Sequence, residues 1–234
     1  MGQRYFITGT DTEIGKTTIA AGLLHAARLQ GLSTAAVKPI AAGCLRTAAG
    51  LRNDDALTLQ AECAPALDYE LLNPVALEPA IAPHIAAAEA GLQLHAGHLA
   101  EACRRVFQRN ADLTLVEGAG GWRVPLNASQ TLADLAIELA EPVILVVGLR
   151  LGCINHALLT LEAIAADGLS VAGWVANQID PQMDRQQHNL ETLKELISAP
   201  LLGVVPQLSP LSSAAVAAHL RLDALGKATS GLSS

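Results

Sequence analysis

The chain has 234 residues, enough to bury a sizeable core in one domain. Its formal net charge of −7, from 22 acidic and 15 basic side chains, argues against a nucleic-acid partner, because affinity for a phosphate backbone rests on Lys and Arg. Four cysteines without C-x-x-C or Cys/His spacing indicate neither zinc nor a redox pair, and no apolar run reaches membrane-spanning length.

The amino terminus enters a strand pattern at residues 5–8 almost at once, which leaves no room for a signal peptide and predicts a soluble, cytoplasmic protein. Next comes Gly9-Thr10-Asp11-Thr12-Glu13-Ile14-Gly15-Lys16-Thr17, opening a helical pattern over 16–30. A glycine-punctuated turn between strand and helix points successive NH groups inward, and the helix adds its positive dipole end, so the stretch reads as a phosphate-binding loop. Five residues separate Gly9 from the Gly-Lys-Thr triplet, one more than usual. Lys16 is placed to reach the β- and γ-phosphates, and Thr17 to offer its hydroxyl to magnesium.

A second apolar run at 34–37 ends in Lys38-Pro39 and a turn at Gly43. The chain has four lysines, and two of them, Lys16 and Lys38, stand just beyond the first two strands, where one anion can meet both. In Asn53-Asp54-Asp55, one aspartate is expected to cap a helix and the other to supply a carboxylate. Residues 71–94, with Pro74, Pro79 and Pro83, show little period and read as a long irregular connection, either a lid or surface packing. His84, His95 and His98 have no ligand spacing.

A helix pattern over 97–109 leads to a strand at 113–116 that delivers Glu117 into Gly118-Ala119-Gly120-Gly121, an acid aimed at a metal in a turn that lets backbone approach a ligand. Helices at 131–139, 154–166 and 185–197 alternate with strands at 143–147, 171–176 and 201–205. The run Gly148 to His156 leaves a strand through glycines and opens a helix whose free NH groups suit a carboxylate or phosphate. This rhythm predicts an α/β fold, a doubly wound, mostly parallel sheet of the P-loop NTPase type, in a single domain over 1–225 with a disordered tail over 226–234.

In combination these motifs resemble the dethiobiotin synthetase family over nearly the whole chain: the loop from Gly9 to Thr17, Lys38-Pro39, Asn53 to Ala56, Val116 to Trp122, Gly152-Cys153-Ile154-Asn155-His156 and Ala172 to Asn177. The resemblance implies a homodimer that uses MgATP, CO2 and 7,8-diaminononanoate. It implies Lys16 and Lys38 as the catalytic lysines, the first for phosphate and the second for a substrate carbamate. Glu13, Ile14, Gly15, Thr17, Thr18, Gly118, Ala119 and Gly120 join them around the nucleotide, and Thr17, Asp55 and Glu117 face Mg2+. Asn177, with Pro206, Gln207 and Leu208, is implied for adenine. Thr12, Gly152, Cys153, Ile154 and Asn155 are implied for the substrate, the last four across the dimer interface. The family often has a serine where this chain has Ala42, and an acidic residue that this chain lacks shortly after Pro206.

Two other readings use the same loop. A nucleotide-switch ATPase of the partitioning and septum-positioning kind would carry an extra lysine early in the loop, where this chain has Asp11, and a basic or amphipathic membrane tail. An amidotransferase-type synthetase would need a glutaminase cysteine in an elbow, and none is visible.

Overall fold

The computed structural model describes residues 2–227. The chain begins with β1 (Gln3–Gly9), α1 (Lys16–Leu29) and β2 (Thr34–Val37), followed by the two-residue strand β3 (Ile40–Ala41) and a small hairpin, β4 (Leu45–Thr47) and β5 (Gly50–Arg52). Two short helices, α2 (Asp54–Ala61) and α3 (Tyr69–Leu72), precede β6 (Val75–Ala76), α4 (Pro83–Glu89) and α5 (Ala96–Phe107). The remainder alternates: β7 (Leu113–Glu117), α6 (Leu132–Leu139), β8 (Val143–Gly148), α7 (Cys153–Ala166), β9 (Val171–Asn177), α8 (Gln186–Leu196), β10 (Leu201–Val205) and α9 (Ser213–Ala217). A 3-10 helix, Leu222–Lys227, takes in the first two residues of the expected tail, and 228–234 lie outside the described residues.

The six long strands form one parallel sheet in the order β10-β9-β8-β1-β7-β2. Each was legible as an apolar run because strands covered on both faces have little use for polar alternation. Strand alternation still decides which core each side chain joins. Leu145 and Val147 of β8 pack with Trp174 of β9 and with Leu190 and Leu193 of α8, whereas Ile144, Val146 and Val175 belong to the larger core. The order also places β7 between β1 and β2, so Glu117, in register with Ile7, emerges between the ends of the strands that lead to the two lysines.

Two expectations need correction. Residues 71–94 are not one irregular connection: β6 pairs with β3, and α4 starts with Pro83, whose missing NH costs nothing in a first turn. Three prolines in a short span hid these pieces because proline breaks long-period patterns without forbidding a two-residue strand or a helix start. Neither aspartate of Asp54-Asp55 caps α2. The cap is Asn53, whose side chain accepts from Ala56 N at 3.1 Å, and both aspartates lie in the first turn, favoured by the helix dipole. Among the described residues, no helix is long and apolar enough to cross a membrane.

Candidate active site

β1 runs buried from Tyr5 to Gly9, and Thr10 N donates to Val146 O at 3.1 Å, which keeps the following turn beside the end of β8. The turn reverses through left-handed residues, Glu13 at φ 57° and Gly15 at φ 83°, before α1 begins at Lys16. Gly15 is required there twice over: by its φ, and because a Cβ would stand 2.3 Å from Asn177 Nδ2. That same amide donates to Ile14 O at 2.9 Å, so the end of β9 props the loop from below. Lys16 arches back to donate from Nζ to Asp11 O at 3.1 Å, and the Asp11 carboxylate pairs with Arg150. Burial holds the Lys16 ammonium below the ordinary lysine pKa.

The second half of the site is assembled from β2, α2 and β7. Glu117 is 1% exposed, and its Oε1 accepts from Thr17 Oγ1 at 2.6 Å and from Lys38 Nζ at 2.7 Å. Lys38 Nζ also donates to Asp55 Oδ2 at 2.7 Å. Burial alone would lower the Lys38 pKa, but Glu117 and Asp55 outweigh it and raise it above the ordinary value. The other carboxylate oxygen, Glu117 Oε2, is buried and has no hydrogen-bond partner.

Of the residues singled out in the sequence, Thr12, Glu13, Gly15, Lys16, Thr17, Thr18, Lys38, Asp55, Glu117, Gly118, Ala119 and Gly120 line one cleft of about 920 Å³. Ile14 lies beneath the loop, 1% exposed. Asn177 acts as the prop just described and does not line the cleft. Pro206, Gln207 and Leu208 follow β10 and are also outside it, as are Gly152, Cys153, Ile154 and Asn155 at the start of α7. The Cys153 side chain is buried in the smaller core, so only its backbone is at that helix start.

Sequence reading missed Ala80, Ile81, Ala82 and Pro83, which form an apolar part of the cleft lining, and Arg123, Val124 and Pro125, which line it as well. Pro83 was visible as a helix-start signal, and Arg123 as a basic residue just past a glycine turn. The glycine turn itself is anchored by Trp122, whose Nε1 donates to Asp167 Oδ2 at 2.7 Å and whose ring meets Phe6 edge-on.

Comparison with known proteins gives this geometry its family. Residues 3–215 match the family model described as an AAA domain. The chain is 65% identical over 222 residues to the ATP-dependent dethiobiotin synthetase BioD of Pseudomonas aeruginosa (strain UCBPP-PA14), covering 95% of this chain and 97% of that one. The BioD of Cellvibrio japonicus (strain Ueda107) is 61% identical, covering 94% of this chain and 96% of its own length. The chain belongs to the ATP-dependent dethiobiotin synthetase family. It is therefore a ligase of the kind that forms carbon–nitrogen bonds.

Solved structures support the fold alone. The MinC:MinD cell division complex of Aquifex aeolicus aligns with TM-score 0.58 at 17% identity, covering 94% of this chain and 87% of that one. Cobyrinic acid a,c-diamide synthase of Mycobacterium smegmatis, with bound ATP analog and magnesium, aligns with TM-score 0.56 at 18% identity, covering 93% of this chain and 91% of that one. A cell division complex and a synthetase thus share this P-loop NTPase sheet, and only the sequence relatives separate them.

Proposed function

We propose that this protein carries out the ATP- and Mg2+-dependent carboxylation and ring closure of 7,8-diaminononanoate with CO2, yielding dethiobiotin, ADP and phosphate. The observation that carries this reading is Lys38, a buried ammonium held between Glu117 and Asp55 in the same cleft as the phosphate loop. ATP binding by itself has the loop NH groups and Lys16, so a second lysine in the same cleft supports a role toward another group of the reaction.

The donors around Glu117 suit Mg2+. They are hard oxygens, and Glu117, whose Oε1 already faces Lys38, keeps a second buried oxygen, Oε2, that has no hydrogen-bond partner and is open to ligate a cation. Thr17, Asp55 and Glu117 would hold the ion, with phosphate oxygens and water completing its shell, and when bound it would neutralise charge on the β- and γ-phosphates.

In the proposed sequence, one substrate amine attacks CO2 and loses a proton, giving a carbamate. Lys38 and Lys16 bear on that anion and on the γ-phosphoryl group, so charge developing between them meets two ammonium groups already in the cleft. The carbamate oxygen attacks the γ-phosphorus, ADP departs, and a carbamic-phosphoric anhydride remains. The neighbouring amine then attacks its carbonyl carbon, loses a proton and expels phosphate, closing the ureido ring. Proximity supplies that last step, and no side-chain nucleophile is required.

The substrate's distal carboxylate is assigned to the Gly152–Asn155 helix start of a second copy in a homodimer. Leu151, 89% exposed beside that loop, suits a surface that meets another chain. Thr12 borders the substrate, and Asn177 with Pro206 to Leu208 borders the adenine. The setting is the cytoplasm, with no nucleic-acid or membrane partner. Purified protein given the diamine, bicarbonate and MgATP should form dethiobiotin and release one phosphate per ring. Hydrolysis of ATP at the same rate with and without the diamine, and no ring product, would sink the reading in favour of a switch ATPase.

A further inference from the structure

Lys38 directly follows β2, the edge strand of the sheet, and precedes Pro39, so its backbone lies outside the strand ladder. Both of its backbone groups are nevertheless paired with one short segment: Lys38 N donates to Leu72 O at 2.8 Å, and Asn73 Nδ2 donates to Lys38 O at 2.7 Å. Asn73 is 3% exposed and its Oδ1 accepts from Tyr69 OH at 3.1 Å. The Tyr69 hydroxyl in turn accepts from Asn53 N at 2.7 Å, and Asn53 caps α2, the helix whose first turn carries Asp55. Asp55 then returns to Lys38 Nζ at 2.7 Å. The bonds form a closed circuit that begins at the backbone of Lys38 and ends at its side chain.

We propose that Tyr69 and Asn73 are positioning residues for the reaction, fixing the Lys38 ammonium and the Asp55 carboxylate relative to each other and to the phosphate loop. A lysine reaches its target through four rotatable bonds, so a buried ammonium keeps one place only if both ends of that stem are held. Asn73 holds the backbone end, and Asp55, through Asn53 and Tyr69, holds the charged end. The Tyr69 ring is itself clamped, with the Arg52 guanidinium 4.1 Å above it and that arginine paired to Glu70 at 2.8 Å. The inference rests on the reading of Lys38 as the carbamate's partner.

Tyr69→Phe is the cleanest probe, since it keeps the ring under Arg52 and removes only the hydroxyl that joins Asn53 to Asn73. Dethiobiotin formation should fall about tenfold in kcat while the KM for MgATP stays within about twofold. In a Lys38→Gln background the same change should cost less than about twofold further, because a residue acting through Lys38 has nothing left to position. Equal losses in the two backgrounds would show a merely structural role and overturn the proposal. A second readout does not depend on the reaction. The chain has four lysines, so the Lys38 Nζ resonance can be assigned from its absence in Lys38→Gln. Tyr69→Phe should shift that resonance and leave Lys194 unmoved, and an unshifted Lys38 signal would overturn the proposal even in a protein that does not turn over the diamine. Failure of the wild-type protein to make dethiobiotin would count against the function alone. Should Tyr69→Phe not melt cooperatively, Asn73→Asp, which keeps an acceptor for Tyr69 but removes the donor to Lys38 O, should give the same shift and the same non-additive loss.

Discussion

Lys16 and Lys38 reach the same cleft from β1 and β2, with β7 and its Glu117 between them, yet they are held by opposite means. Lys16, 8% exposed, rests on a backbone carbonyl of its own loop, and burial lowers its pKa. Lys38, 5% exposed, rests on two carboxylates that raise its pKa despite the same kind of burial. The phosphate-loop side is mainly a local construction within residues 9–18, tied outward by Thr10 to Val146, Thr17 to Glu117, the Asn177 prop and the Arg150 pair. The Lys38 side is assembled from three distant segments. A loosely partnered ammonium is free to turn toward an arriving polyphosphate, whereas a doubly paired one is a fixed charge around which other groups are placed.

The comparison is broken most sharply at Lys16. Lys16→Ala should lower dethiobiotin formation by about 10²–10³-fold, the loss typical of one preorganised transition-state donor, with ATP affinity falling as well because no other lysine lies within the loop. Steady-state kinetics together with calorimetry of nucleotide binding measure both. Near-normal turnover would remove Lys16 from the chemistry.

Lys38→Gln should separate what Lys16→Ala changes together. Nucleotide affinity should stay within about threefold while ring formation falls about 10²-fold, since the loop is intact and only the second cation is missing. The variant should also lose about 3 kcal/mol of stability, because Glu117 is left buried without its counter-charge. Adding Glu117→Gln should restore much of that stability without restoring turnover, as read by urea unfolding beside the ring-formation assay. A variant that lost ATP affinity yet kept its turnover at saturating ATP would place Lys38 with the nucleotide.

The same division marks how far the sequence could be read. The six strands of the main sheet, helices α1, α5, α6, α7 and α8, and the phosphate loop were legible because each rests on local signals: apolar runs, helical period, and glycines at a strand-to-helix turn. Lys38 and Glu117 were legible as strand-end residues, since a parallel sheet puts such positions at one edge. Asn53, Tyr69 and Asn73 were not, because a buried amide or phenol matters through partners many residues away and carries no periodic signal. The apolar lining from Ala80 to Pro83 was hidden for a related reason: it runs from the loop after β6 into the first residue of α4, elements too short for any period.

Asn177 offers a test of intermediate size, because its resemblance-based role and its contacts differ. Its amide supports Ile14 O beneath the loop, so Asn177→Ala should weaken binding of ATP and of inorganic tripolyphosphate alike, by about tenfold, the effect of a lost buried hydrogen bond. An adenine contact alone would leave tripolyphosphate binding unchanged and relax the preference for ATP over GTP. Competition binding with the two ligands distinguishes a prop for the phosphate loop from a reader of the base.

The smallest effect follows from the opposite pKa directions, and its sign differs between the lysines. The Lys16 pKa is below the ordinary 10.5, so between its folded value and 10.5 the unfolded chain binds more protons than the native one, and stability rises with pH across that window. The Lys38 pKa is above 10.5, so its stabilisation is complete below 10.5 and is lost only as pH climbs through the higher folded value. Without nucleotide, Lys16→Met should therefore be more stable than wild type near neutral pH, with the advantage shrinking as pH approaches 10.5. Lys38→Met should be less stable than wild type by an amount that stays constant over the same range. Urea midpoints of the three proteins from pH 7 to 10.5 measure both trends, and titrations common to all of them cancel in the differences. A Lys16→Met advantage that did not change with pH would mean the folded protein carries the Lys16 proton as readily as the unfolded chain does, and the two lysines would then differ in their partners but not in their charge.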